Sequence, residues 1–235
     1  MPMSRLVQIF RNRLHAATAP FKRLYQMATR RRRIEAYLRD TAEPRLILGA
    51  GAQQRPGWLS SDLDPRDPRT IRIDATRPLP FADGSLAYVF AEHMIEHIDY
   101  RQGQALVAEV LRVLRPGGVL RIATPDLVRF ARLVCEPLNA EQQAYVDWNN
   151  GLFGEHVSNR TSFVLNRIMR WWGHTFVYDA PTLVELLENA GFVDLAFEQV
   201  GESRHEALQG LEHHGVEISD AANRFETMIV EAKKP

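Results

Sequence analysis

A single cysteine, Cys135, stands among 235 residues, so no internal disulfide can form and a reducing compartment is the expected setting. No run approaches the roughly 18 apolar residues of a membrane span, and no charged-then-apolar signal segment is evident; both point to the cytoplasm. No G-x-x-x-x-G-K-[ST] loop occurs, which removes the P-loop triphosphate readers. Internal repeats and low-complexity tracts are lacking apart from the run Arg30 to Arg33. The length suits one large domain, or a domain with an appendage, that buries its own core.

Net charge is also missing, but only in the sum. Residues 1–40 hold ten Lys/Arg against Glu35 and Asp40, an excess of +8 that the rest of the chain balances. Leu6, Ile9, Phe10 and Leu14, then Phe21, Leu24 and Tyr25, recur at helical spacing on either side of Pro20, predicting two short amphipathic helices. This basic helical leader, residues 1–40, has three readings: a contact for an anionic membrane surface at the inner face of the membrane, an RNA footprint, or an arm packed on the domain at 41–235.

Seven β-like segments follow: 45–48, 58–62, 70–73, 86–91, 119–124, 195–200 and 225–231. With helices between them they predict an α/β, Rossmann-like doubly wound sheet. One helix precedes Pro116-Gly117-Gly118, striped by Leu106, Val110, Val113 and Leu114 and capped by Asp99. A second starts at Asp179-Ala180-Pro181, turns Leu183, Leu186, Leu187 and Ala190 inward, and stops at Gly191.

The first strand, Leu46-Ile47-Leu48, runs into Gly49-Ala50-Gly51, where the missing side chains let backbone approach a ligand. Asp62 ends the second segment, placed to accept both hydroxyls of a ribose, and Asp74 ends the third, placed to receive an adenine amine. A dinucleotide dehydrogenase fits badly, because Gln54 stands where its third glycine belongs and Asp62 follows Gly51 too closely. The breaker-rich Gln53-Gln54-Arg55-Pro56-Gly57 implies a clipped crossover with no full helix.

This ordered series, with Trp58 to Asp62, Asp74 to Phe81, Ala91-Glu92-His93 and the Arg115-Pro116-Gly117-Gly118 turn, resembles the class I S-adenosylmethionine-dependent methyltransferases from about Arg45 onward. Within them it looks most like a bacterial branch met among cell-surface polysaccharide genes. The resemblance implies S-adenosylmethionine as cofactor, a mostly parallel seven-stranded sheet with one antiparallel C-terminal strand, and cofactor contacts at Gly49, Ala50, Gly51, Asp62, Leu63, Asp74, Ala75 and Glu92. It also implies O-methylation of a saccharide, glycolipid or other small-molecule acceptor. The family's usual loop has a third glycine and a preceding acidic residue, where this chain has Ala52-Gln53 and Leu48. The proline-aromatic signature that holds exocyclic amines is absent, Ala91-Glu92-His93-Met94 standing in its place, so nucleobase amines lose support. A small-molecule or RNA methyltransferase, or a catalytically silent scaffold of the same fold, remains the alternative.

The stretch 126–178 is too long for one connection and predicts a helical insert over the acceptor. Three of the four tryptophans lie there, Trp148, Trp171 and Trp172, suited either to sugar rings or to the insert's own core. His174 and His156 flank these aromatics and are the candidate bases for a hydroxyl acceptor. His93-Met94-Ile95-Glu96-His97 matches the inverted metalloprotease pattern H-x-x-E-H, but it directly follows the fourth strand, and no metal is expected. Glu212-His213-His214 and His205 fit no ligand spacing and read as a solvated or substrate-rim loop, while Cys135 beside Leu133 and Val134 reads as a buried, inert thiol.

Overall fold

A computed structural model describes residues 26–152 and 160–235. Seven strands form one sheet in the order β3-β2-β1-β4-β5-β7-β6: β1 Arg45–Leu48, β2 Trp58–Asp62, β3 Ile71–Arg72, β4 Leu86–Glu92, β5 Leu114–Pro125, β6 Val193–Glu198 and β7 Thr227–Lys233. Strands β1 to β5 pair in parallel, and β7 runs antiparallel between β5 and β6. The helices are α1 (26–40), α2 Tyr100–Val113, α3 Leu127–Cys135, α4 Ala140–Leu152, α5 Thr161–Arg170, α6 Ala180–Ala190, α7 His214–Glu217 and α8 Asp220–Glu226.

Period-two alternation splits the sheet's apolar residues between two unlike faces. Leu46, Leu48, Leu120, Ile122 and Val230 meet α1, α2 and α6 through Ile34, Leu106, Val110 and Leu183. Ile47, Phe90, Val119, Ala123 and Ile229 face the other way, where the cover is Leu208 and Leu211 of the irregular segment 199–213. The crossover from β1 to β2 is clipped as expected, and no helix joins β2 to β3 or β3 to β4 either. A third cluster lies off the sheet, where Phe130, Tyr145, Val146, Val164, Ile168 and Phe225 join α3, α4, α5 and α8. Phe130 and Tyr145 thus serve the insert's own core.

Local signals set several boundaries. Asp99 and Gln102 form a reciprocal capping box at α2. Asp179 caps α6 through Thr182 N–H, Pro181 sits in its first turn, and Gly191 ends it at φ 103°. The Pro-Gly-Gly segment, expected as a turn, instead opens β5: pairing moves from Leu86 with Leu114 to Tyr88 with Val119, so the extra residues bulge out. Lys234 holds the bulge, accepting from Gly117 N–H and donating its own N–H to Gly118 O. β7 begins at Thr227 rather than Phe225, because α8, capped by Ser219, runs through Glu226. Cys135 is exposed, contrary to expectation, because α3 buries Phe130 and Leu133 and its last residue turns away from that stripe.

The predicted apolar stripe of the leader, Leu6 to Tyr25, lies outside the described residues. Helix α1 buries Ile34 and rests Tyr37 and Leu38 on the main core. Arg30 donates to Arg72 O, and Arg33 donates to Thr70 O and Arg69 O. Two of the four consecutive arginines therefore hold the carbonyls around the short edge strand β3.

Gly103 in α2 marks the closest approach to the strand-like segment before α6, since a Cβ there would stand 2.6 Å from the Tyr178 hydroxyl. That hydroxyl is buried without a hydrogen-bond partner. Gly103→Ala is expected to destabilise by about 1–3 kcal/mol despite better helix propensity. Tyr178→Phe, which discards the unpartnered group, should cost little alone. Thermal melts of both single variants and the double variant check this, and equal losses in Gly103→Ala with and without Tyr178→Phe would refute the contact.

Candidate active site

At the carboxyl ends of β1 and β4 the chain leaves a cavity of about 750 Å³, the place where open α/β sheets take their ligands. Its floor is the glycine loop. Gly49 adopts φ 71°, and a Cβ there would lie 2.6 Å from Met94 Cγ, so only glycine fits. Asp62 holds the loop from the end of β2, its Oδ2 accepting from Gly51 N–H at 2.8 Å and its Oδ1 from Asp64 N–H at 2.8 Å. Each oxygen keeps a lone pair for a further donor. Asp74 accepts from Thr76 Oγ1 at 2.7 Å and Thr76 N–H at 3.0 Å, and the Thr76 hydroxyl is the main cause of its lowered pKa.

Of the expected cofactor residues, Gly49, Ala50, Gly51 and Glu92 line the cavity, while Asp62, Leu63, Asp74 and Ala75 are not part of its wall. Asp62 touches the loop directly, Leu63 is about half exposed, and Ala75 rests on the main core. Glu92 also holds a distant part of the chain. Its carboxylate accepts from His213 N–H at 2.8 and 3.0 Å and from His214 N–H at 2.9 Å, fixing the entry to α7.

Beyond Glu92 the backbone turns sharply, with His93 at φ 44°, a left-handed conformation in a residue with a side chain. The i, i+4 helical pair that H-x-x-E-H requires therefore never forms: Ile95–His97 is only a 3₁₀ turn. His93 Nε2 lies 3.1 Å from Thr227 Oγ1, whose proton goes to Asn223 Oδ1 at 2.7 Å, so the imidazole must donate there. Its Nδ1 lies 3.2 Å from Glu96 Oε1. Both nitrogens thus face acceptors. Burial opposes charge on this ring, but Glu96, with Glu226 and Glu92 behind it, raises its pKa on balance. Glu96 is fully buried and its pKa is lowered, the burial penalty being outweighed chiefly by His93.

His214 stacks on His93 with ring centroids 4.0 Å apart and meets Glu226 Oε1 at 3.1 Å through Nε2. Tyr145 donates its hydroxyl to Glu226 Oε2. Burial and the Glu226 charge hold that phenol far above its ordinary range. His213 and His214 both line the cavity, whereas Glu212, expected on a solvated or substrate-rim loop, is buried in an ion pair with Arg121. No local pattern points to this pair, since Glu212 and Arg121 are 91 residues apart.

His174 also lines the cavity. Its Nδ1 lies 2.7 Å from Ile168 O, and a carbonyl can only accept, so Nδ1 carries the proton and Nε2 the lone pair. Burial is the main cause of its lowered pKa. Thr175 and Phe176 donate their N–H groups to Glu96 O, tying the segment after His174 to the turn after β4. His156, the other candidate base, lies outside the described residues. Trp148, Leu152, Ile168 and Trp172 give the cavity an apolar wall.

Residues 37–122 match the family model described as a methyltransferase domain. A probable S-adenosylmethionine-dependent methyltransferase of Mycolicibacterium smegmatis is 33% identical over 128 residues, which make up 54% of this chain and 37% of that protein. Among solved structures, a SAM-dependent methyltransferase from Archaeoglobus fulgidus aligns over 94% of this chain and 99% of its own, at 16% identity and TM-score 0.47. Phosphoethanolamine N-methyltransferase 2 of Haemonchus contortus, in complex with S-adenosyl-L-methionine, aligns over 83% of this chain and 49% of its own, at 18% identity and TM-score 0.43. The chain spans about a third of the length of the curated relative and about half that of the Haemonchus enzyme. The matched segment, which holds the glycine loop, Asp62, Asp74 and Glu92, is similar to methyltransferase domains of the S-adenosylmethionine-dependent kind.

The segment 199–213 beside the cavity hangs on Arg121, which is fully buried and paired with Glu212 at 2.7 Å and Glu231 at 2.6 Å. Arg121→Ala leaves two buried carboxylates uncompensated and is expected to cost about 3–5 kcal/mol. Urea unfolding measures the loss, and limited proteolysis should find new cuts within 199–213. A change within about 0.5 kcal/mol, the range of ordinary surface substitutions, would overturn the assignment.

Proposed function

We propose that the protein transfers a methyl group from S-adenosylmethionine to a hydroxyl oxygen of a small, ring-bearing acceptor of the saccharide class. The observation that carries this reading is one continuous cavity whose floor is the glycine loop and whose wall holds His174 beside Trp148 and Trp172. The loop fits the cofactor in chemical terms: glycine backbone admits close approach, and Asp62 keeps free lone pairs next to it. Bound there, the sulfonium supplies an already activated methyl group. The chain's own residues would do the rest. Trp148 and Trp172 offer aromatic faces to the C–H surface of a sugar ring. The Nε2 lone pair of His174 would accept the proton of an acceptor hydroxyl held against these rings. Holding oxygen and methyl in line contributes the largest share of rate, on the order of 7–11 kcal/mol where alignment is good.

A nucleic-acid acceptor draws less support, because Arg30 and Arg33 are engaged with carbonyls around β3. A glycolipid acceptor at a membrane surface would involve the leader, most of whose residues lie outside those described; no helix among the described residues is long and apolar enough to cross a membrane.

Calorimetry should give saturable binding of S-adenosylmethionine and S-adenosylhomocysteine, weakened at least tenfold by Asp62→Ala. Absence of binding in the parent protein would sink the reading. With labelled cofactor and a panel of saccharides, amines and nucleic acids, label should enter a saccharide. On that substrate His174→Ala is expected to lower kcat by about 10²–10⁴-fold without changing cofactor affinity. Label entering amines alone would reject the acceptor class.

A further inference from the structure

Two groups of side chains in and under the cavity wall bring three metal-ligating atoms within 4.8 Å of one another: His93, His214 and Glu226, and Glu96, His97 and His174. Their proton inventories separate them. In the first, His93 has Nε2 donating to Thr227 and Nδ1 facing Glu96, so it has no lone pair to give. The second has donors to spare. His174 spends its Nδ1 proton on Ile168 O, the outer hydrogen bond that fixes a ligating imidazole elsewhere in metal sites and leaves Nε2 bare. Glu96 is fully buried; its Oε2 accepts from Thr124 Oγ1 at 3.1 Å, and its Oε1 pairs with His93 Nδ1 at 3.2 Å, which fixes the carboxylate from behind. His97 is exposed and can swing, its ring standing 4.9 Å from that of His174 and nearly perpendicular to it.

We propose that Glu96, His97 and His174 form a binding site for one divalent cation of the zinc class on the acceptor side of the cavity. Two imidazoles and a carboxylate make the donor set that such borderline cations take, with a fourth position left to water or to an acceptor oxygen. Tetrahedral coordination with bonds near 2.1 Å sets ligand atoms about 3.4 Å apart, which the rotation of His97 can supply from the present spacing. The set differs from the one H-x-x-E-H names: Glu96 becomes a ligand, His93 stands behind its carboxylate, and His174, some eighty residues away, replaces the motif's first histidine. The role in transfer rests on the function proposed above. A cation there would lower the pKa of a coordinated acceptor hydroxyl, the proton leaving to solvent, and His174 would then act as a ligand in place of a direct base.

The test is binding, read without turnover. Chelator-treated full-length protein is titrated with Zn²⁺, and separately with Co²⁺ to read the visible absorption of a tetrahedral site, with metal content measured after gel filtration. One equivalent is expected in the parent protein. His97→Ala, which removes an exposed side chain, and Glu96→Gln should each weaken retention at least tenfold, with circular dichroism verifying the fold. S-adenosylmethionine calorimetry on the same samples keeps the two proposals apart: cofactor binding without metal would overturn this site alone, and metal without cofactor binding would overturn the proposed function alone. Retention unchanged in His97→Ala, or abolished only by His214→Ala, would place the cation elsewhere and refute the assignment.

Discussion

The cover over the second face of the sheet depends on one buried guanidinium. Arg121 sits on the sheet face opposite the helices, directly across the β5–β7 ladder from Glu231, so the two side chains rise together. Glu212 comes to the same guanidinium from the irregular segment, and Arg121 also donates to the carbonyls of Glu202 and Gln199. A segment with little regular structure and few apolar residues could not hold itself against a sheet by burial alone. Fixed by charge at both ends, it delivers Leu208 and Leu211 as the apolar cover. Desolvating an arginine and two carboxylates costs more than a single pair regains, so the arrangement persists because several hydrogen bonds act on one group. What it secures is position more than net stability.

That position is passed on to the cavity. Glu212 receives Gly201 N–H, closing the segment on itself, and Leu211 O accepts from Gln53 and Arg55 of the clipped crossover. His213 and His214 present their N–H groups to Glu92 at the end of β4. The glycine loop, the fourth strand and the histidines before α7 are thereby held in one hydrogen-bonded ring. A helix between β1 and β2 would occupy the place of this segment. The clipped crossover and the buried arginine are thus two parts of one solution to covering the second face of the sheet.

How far the sequence spoke for the structure follows from the range of each interaction. β1 and β2 were legible to the residue, as were the Asp99 capping box and the Asp179 to Gly191 helix, because each is fixed by neighbours a few positions apart. The glycine loop was legible for the same reason, and His174 was placed at the cavity on the strength of where its segment returns to the sheet. The basic leader left three readings open because the carbonyl partners of Arg30 and Arg33 lie about forty residues away. That Glu92 also receives two backbone N–H groups 121 and 122 residues distant has no sequence signature at all. Cys135 misled because apolar neighbours in sequence are not neighbours on a helix face.

The two sheet faces also differ in how firmly they are held. Where α1, α2 and α6 lie, fully buried aliphatic side chains interlock over many contacts, and opening any part exposes the rest. The opposite face is closed by two leucines and a set of ion pairs and hydrogen bonds, each of which can exchange for water as the segment lifts. Local opening should therefore concentrate on the segment 199–213, while the glycine loop stays anchored through Asp62 and Met94. Such a gradient suits a site that must keep one ligand oriented and let another enter and leave. The buried arginine sets its steepness, since it alone joins the labile segment to the rigid strands β5 and β7 through charge.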